Sequence, residues 1–184
     1  MNRAYLSLGS NIAPEQNLPA AVRELQRYGR VVSVSKVWQT PPEGDVNQPD
    51  FLNAAVLLET EFSAEHVRQT MIPRVEQALA RVRDAANRNA PRTIDVDLSL
   101  FNSETLSTGG RTIPDPDVLT RAFVAVPLAE LDPGYVHPET GRTLAEIAAE
   151  LYQSCGPMRP RNDVMLYAES LPTASTSPPP SSAC

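Results

Sequence analysis

A chain of 184 residues with 16 basic and 22 acidic side chains, a formal net charge of −6 and 41% apolar residues is long enough to bury one core and too short for two ordinary ones. The acidic balance excludes general nucleic-acid binding, which rests on a basic surface. No apolar run approaches the ~20 residues of a membrane span, so no membrane partner is expected. Met1 to Leu6 enters strand-like alternation directly, without the apolar core of a signal peptide, and a cytoplasmic protein is expected. Cys155 and Cys184 are the only cysteines, and both are expected as free thiols.

Ala4 to Ser10 alternates as a first strand, with Tyr5, Ser7 and Gly9 on one face, and ends in Gly9-Ser10-Asn11, either a simple loop or the floor of a ligand site. Pro14 to Tyr28 has Leu18, Val22 and Leu25 at helical spacing, with Gly29 placed to stop the helix. Val31 to Trp38 alternates as a second strand of high β-propensity. Thr40 to Pro49 holds three prolines and a glycine after Thr40, which predicts a long, stiffened loop of the kind usually kept for function. Phe51 to Thr60 is a buried strand. Asn53 near its start needs partners, whether loop backbone or a planar ligand matched to its two donors and acceptor.

Ser63 to Arg83 is the longest predicted helix, capped by Ser63, with Val67, Met71, Val75 and Leu79 on its apolar face. Pro73 should bend or split it near Met71. Its charged end, Glu76, Arg81, Arg83 and then Arg88, leads towards Arg92. It reads as a solvated face or as a positive rim around a polyphosphate. Residues 84–90 read as a mobile loop suited to a lid.

From Ile94 to Leu98 apolar and acidic residues alternate, so Asp95 and Asp97 leave one strand face about 7 Å apart. Like charges so placed either face open water on an edge strand or share a cation, and oxygen-only ligation suits Mg²⁺. Arg92, just before them, can hold phosphate bidentately. Asn102 to Arg111 reads as a turn-rich excursion, followed by a Pro-stiffened loop and a helical turn packing Val124, Leu128 and Leu131. Thr143 to Tyr152 forms a last short helix. His66 and His137 are expected as surface histidines. The expected fold is α+β, a ferredoxin-like sandwich whose largely antiparallel sheet is covered by helices on one side. It occupies residues 1–170 as a single domain. Residues 171–184 are a Pro/Ser/Thr-rich tail without apolar periodicity, expected to be disordered.

Five stretches together resemble one family: Ser7-Leu8-Gly9-Ser10-Asn11, Thr40-Pro41-Pro42, Gln48 to Val56, Pro91 to Asp97, and Arg121-Ala122-Phe123-Val124. In order and spacing they are similar to 6-hydroxymethyl-7,8-dihydropterin pyrophosphokinase, which moves the terminal pyrophosphate of ATP onto a pterin hydroxymethyl group in folate biosynthesis. The resemblance implies a cytoplasmic, Mg²⁺-dependent transferase acting on ATP and a reduced pterin, most simply as a monomer. Two Mg²⁺ ions would sit on Asp95 and Asp97. Arg81, Arg83 and Arg92 would act with these carboxylates in catalysis, and Glu76, Arg92, Leu98, Asp115 and Arg121 would meet the nucleotide. Phe51 and Phe123 would sandwich the pterin, with Asn53, Thr40 and Pro42 at its edge. Asn89 stands where a common family version carries tryptophan, and Asp115 where the family usually has a histidine. A second reading is a divergent paralogue that binds a pterin without catalysis.

Overall fold

The computed structural model describes residues 1–44, 47–82, 90–108 and 110–166. In chain order the elements are β1 (Asn2–Ser10), α1 (Pro14–Leu25), β2 (Arg30–Val34), β3 (Trp38–Thr40), β4 (Phe51–Thr60), α2 (Ala64–His66), a π-helical segment (Val67–Met71), α3 (Ile72–Ala78), β5 (Asp95–Phe101), β6 (Leu106–Thr108), β7 (Arg111–Ile113), a 3-10 turn (Pro116–Leu119), α4 (Ala122–Leu131), α5 (Leu144–Ser154) and β8 (Arg159–Pro160). The main sheet runs β5-β1-β4-β3-β8, with β2 also paired to β4, and all its pairings are antiparallel. The fold is the expected ferredoxin-like α+β sandwich.

Helices lie on both faces of this sheet, not on one as the element order implied. On the first face, Leu6, Leu8, Val56, Leu58, Val96 and Leu98 meet Leu18 and Val22 of α1 and Val67, Met71 and Val75 of the α2–α3 region. On the second, Tyr5, Ala55, Leu57 and Leu100 meet Val124 and Leu128 of α4 and Leu144 of α5. Each fully buried aliphatic side chain contributes about 1.5–3 kcal/mol. The second core covers only one end of its face. The same strands continue past it as Ser7 and Gly9, Asn53, and Asp95 and Asp97, side chains that an apolar helix cannot cover. That uncovered end is where the site lies.

Local departures from the sequence reading have local causes. The second strand divides into β2 and β3, both on β4, because the Ser35 hydroxyl takes the Ala55 N–H (2.8 Å) and the Lys36 N–H turns to Glu130 (2.8 Å). Helix α1 ends at Leu25, before Tyr28. Gly29 serves a close approach, since a Cβ there would lie 2.2 Å from the Glu59 carbonyl. The long helix widens into its π-helical segment directly before Pro73, which cannot donate to the helical ladder. It then ends at Ala78, with Ala80 at a φ of 53°, so Arg81 lies beyond the helix. The excursion after β5 contains the hairpin β6–β7. His137 is fully buried, contrary to expectation. The turn from Tyr135 to Thr143 folds over it, with its N–H on the Arg142 carbonyl (2.8 Å) and its carbonyl accepting from Gly141 (2.9 Å). Burial pushes its imidazole pKa down. His66 is half-buried and stacks on Phe62. Arg83, Arg88, Asn89, Cys184 and the tail from residue 171 lie outside the described residues.

Candidate functional site

Strand register assembles the site. Gly9 of β1 stands opposite Asn53 of β4 on one side and Asp95 of β5 on the other. One step along, Ser7 stands between Ala55 and Asp97. Thr40 of β3 pairs with Phe51. Ser7, Gly9, Thr40, Phe51, Asn53, Asp95 and Asp97, with Arg121 and Phe123 from the start of α4, line one cavity of about 240 Å³. Gly9 keeps its floor low. A Cβ there would sit 3.4 Å from Asn53 Oδ1 and 4.0 Å from the Asp95 Cβ.

One half of the cavity is neutral and flat-walled. Asn53 is 6% exposed and donates through Nδ2 to Thr40 Oγ1 (2.9 Å), which fixes the amide plane. The Arg92 guanidinium lies 5.6 Å from the Phe51 ring centre, and that of Arg121 5.6 Å from the Phe123 ring centre. Asn11, buried behind this half, accepts from the Arg92 N–H (2.8 Å) and donates to Gln48 (2.8 Å) and the Pro49 carbonyl (3.2 Å). The turn after β1 thereby ties the loop before β4 to the segment before β5.

The other half is charged. Asp95 is held by Arg92 (2.6 Å) and by Arg81, whose Nη1 also donates to Glu76 (2.8 Å) and the Ile94 carbonyl (2.8 Å). Burial disfavours the Asp95 carboxylate, but Arg81 and then Arg92 outweigh it and hold its pKa below the ordinary value. Among the described residues Asp97 is paired with Arg111 at 2.8 Å, and its side chain is 41% exposed. Burial and then the charge of Asp95 push its pKa up to about 6 against the pull of Arg111, and Asp115 adds to the rise. The two neighbouring carboxylates repel each other, and the arginines relieve that repulsion chiefly at Asp95. Among the described residues no three His, Cys, Asp or Glu side chains are grouped to hold a metal. Two carboxylates with substrate oxygens completing the shell is the arrangement Mg²⁺ commonly takes, so the residues fit that ion.

The cavity brings together Thr40, Phe51, Asn53, Arg92, Asp95, Asp97, Asp115, Arg121 and Phe123. Pro42 lines an adjoining cavity that shares Thr40, Glu43, Arg121 and Phe123 with the first. Asp115 turns one oxygen back to the Asp117 N–H (2.9 Å) as the cap of the 3-10 turn. Arg121 is paired with Glu43 and, at 2.9 Å, with Asp117. Three predicted residues stand behind the cavity wall at the outer edge of β5. Glu76, 4% exposed, accepts the Val96 N–H (3.2 Å), and Arg81 is 10% exposed. The Leu98 side chain is fully buried, so only its backbone could reach a ligand. By the alternation of the ladder, that backbone faces the free edge as that of Val96 does. The sequence reading assigned no role to Ser99, Asp117 or Arg111, and to Glu43 only its backbone, as part of the stretch from Pro42 to Gly44 at the pterin edge. Ser99 extends the 95/97 alternation and bonds Ser7 (2.7 Å), a signal open to a reader of sequence. Arg111 reaches Asp97 through hairpin pairing and left no such signal.

A model of the family described as 7,8-dihydro-6-hydroxymethylpterin-pyrophosphokinase (HPPK) matches residues 5–133. A Methylorubrum extorquens protein, a 2-amino-4-hydroxy-6-hydroxymethyldihydropteridine pyrophosphokinase, is 41% identical over 154 residues, covering 82% of this chain and 94% of its own. A Pseudomonas aeruginosa protein of the same description is 35% identical, covering 81% and 91%. Among solved structures, Plasmodium falciparum HPPK-DHPS superposes with a TM-score of 0.63 at 14% identity over 84% of this chain. The chain spans 44% of that fused protein, and the likeness concerns the fold. With the family match covering most of its length and relatives above 30% identity along nearly all of theirs, this chain belongs to the HPPK family.

Proposed function

We infer that this chain transfers pyrophosphate from ATP to the hydroxymethyl group of 6-hydroxymethyl-7,8-dihydropterin, giving AMP and the pterin pyrophosphate, as a step of folate biosynthesis. The observation that carries this reading is the row Asn53, Gly9, Asp95, which sets an amide-and-aromatic slot beside paired carboxylates in one cavity. Phe51 and Phe123 stack on the pterin faces, each contact worth about 1 kcal/mol. Asn53, steadied by Thr40, reads its amide edge, with Pro42 and its neighbours closing the far side. Arg92 and Arg121 take triphosphate oxygens, exchanging their carboxylate partners for the ligand. Arg83 joins them at the nucleotide. Arg81 acts through Asp95, and Glu76 through both Arg81 and the edge of β5. Leu98 offers main-chain groups to the nucleotide, and Asp115 bounds its site.

Asp95 and Asp97 hold Mg²⁺, two ions in our reading. When bound, Mg²⁺ neutralises charge between nucleotide and hydroxyl and so favours attack at the β-phosphorus. The named cavity residues include no His or Cys, so the protein's contribution is positioning and charge placement. The support is the convergence of a neutral ring slot and a charged wall on one short span of β1. The test is incubation with ATP, Mg²⁺ and the dihydropterin. AMP should accumulate in step with pterin pyrophosphate, whereas ADP as product, or no turnover, overturns the reading. We further propose a cytoplasmic monomer whose residues 1–170 suffice. Light scattering should give the mass of one chain, and truncation after residue 170 should leave turnover within about twofold, the range of changes remote from a site.

A further inference from the structure

Strand β8 lies beyond the stretch matched by the family model, residues 5–133, yet it pairs with β3 directly beside Thr40. Its register sets Pro160 against Trp38 and Arg159 against Gln39, and the next residue, Arg161, gives its N–H to the Val37 carbonyl (2.8 Å). β3 has only three residues, so this second partner holds it in place. The Arg161 side chain extends the hold. Nη1 donates to Gln39 Oε1 (3.2 Å), and Gln39 Nε2 donates in turn to Asp50 Oδ2 (2.7 Å). Nη2 reaches Glu15 at the start of α1 (3.1 Å) and Asp163 (2.8 Å), which anchors the guanidinium itself.

Gln39 precedes Thr40 and Asp50 precedes Phe51, so the Gln39–Asp50 bond closes the neck of the loop between the two. Only one orientation of the Gln39 amide serves it. Turned over, the amide would present NH₂ to a guanidinium and oxygen to a carboxylate, unfavourable on both sides. Arg161 selects the working orientation.

We propose that Arg161 is a positioning residue for the pterin slot, acting through Gln39 and Asp50 to hold Thr40 and Phe51 at the separation a flat heterocycle requires. The proposal rests on the reading of this cavity as a pterin site.

The test uses the full chain. Dihydropterin binding is followed by fluorescence, and KM is measured for each substrate in wild type, Arg161→Ala, Arg161→Lys, Gln39→Ala and the Arg161→Ala/Gln39→Ala double variant. Arg161→Ala should raise the pterin Kd and KM about tenfold, while the ATP KM and the kcat at saturating pterin stay within about twofold. Arg161→Lys should recover part of the loss, and the double variant should be no worse than either single one. If Arg161→Ala fails to fold, Gln39→Ala, which leaves β8 and its anchors intact, carries the same expectation. An unchanged pterin KM in Gln39→Ala, equal losses for both substrates, or additive losses in the double variant overturn the proposal. A wild-type chain that binds no pterin overturns the proposed function as well, whereas turnover with silent variants overturns this inference alone.

Discussion

The two halves of the cavity are built on opposite principles. The amide-and-aromatic half is fixed by strand register and by one neutral hydrogen bond, Asn53 to Thr40, so it presents its groups before any ligand arrives. The charged half is compensated internally, Asp95 and Asp97 each held by arginine. It can act only by trading partners. Within it Arg81 is 10% exposed and serves Glu76, Asp95 and the Ile94 carbonyl, whereas Arg111 and Asp97 are 57% and 41% exposed. A buried pair broken by removing one partner costs about 3–5 kcal/mol, an exposed one about 0–1. On the proposed function, Asp97 would therefore give up its partner at little cost, while Asp95 would keep Arg81 as Arg92 exchanges partners for phosphate. On that same reading, the neutral half recognises and the charged half rearranges.

The largest effect should come from emptying the charged wall. Asp95→Ala or Asp97→Ala should reduce AMP formation about a thousandfold or more while the far-ultraviolet spectrum stays native. Near wild-type activity in either variant would remove the cation assignment. Next is the contrast between the two arginines. Arg81→Ala should lower unfolding free energy by about 3–5 kcal/mol in urea titration, and Arg111→Ala by less than about 1. Equal costs would mean the wall is uniformly rigid. In the neutral half, Asn53→Ala should raise the pterin KM about tenfold to a hundredfold through lost hydrogen bonds and leave the ATP KM unchanged.

The smallest effect is electrostatic. A folded-state pKa of about 6 at Asp97 means that the native chain holds its proton more tightly than the unfolded chain does. That contribution is present at low pH and disappears as pH rises through about 6. In chelator, Asp97→Asn should therefore melt roughly a degree or two above wild type at pH 7.5 and level with it near pH 3.5, below the ordinary carboxylate range. A difference of the same size at both pH values would show that the raised pKa of Asp97 is not the cause.

Strand positions and side-chain faces were legible because the period of two is local: Ile94 to Leu98 announces which side carries the acids. That Thr40, Phe51, Asn53 and Phe123 line one cavity was legible through resemblance, and Asn53 also as a polar side chain in an apolar strand. What the chain order could not convey was long-range. Helices α4 and α5 reach the second face because Tyr5, Leu57 and Leu100, from three different strands, form one apolar patch there. The early end of α3 follows from Ala80, whose left-handed backbone breaks a run otherwise rich in helix formers. Strand β8 has two residues and no pattern, and exists only as an addition to β3. Arg111 meets Asp97 because a hairpin folds back, and nothing in its own neighbourhood foretells the pairing.

Gly9 has one more consequence. Because it sits between Asn53 and Asp95 in a single row, the separation of those two residues is set by two strand spacings, about 10 Å, and not by any side-chain rotamer. On the proposed function the sheet is thus a gauge with fixed jaws: one end would grip the rim of a heterocycle, the other would mark where its hydroxyl must stop. A pterin alcohol lengthened by one methylene would then still fit the grip and overshoot the mark, so that the main chain itself would select chain length in the substrate's arm.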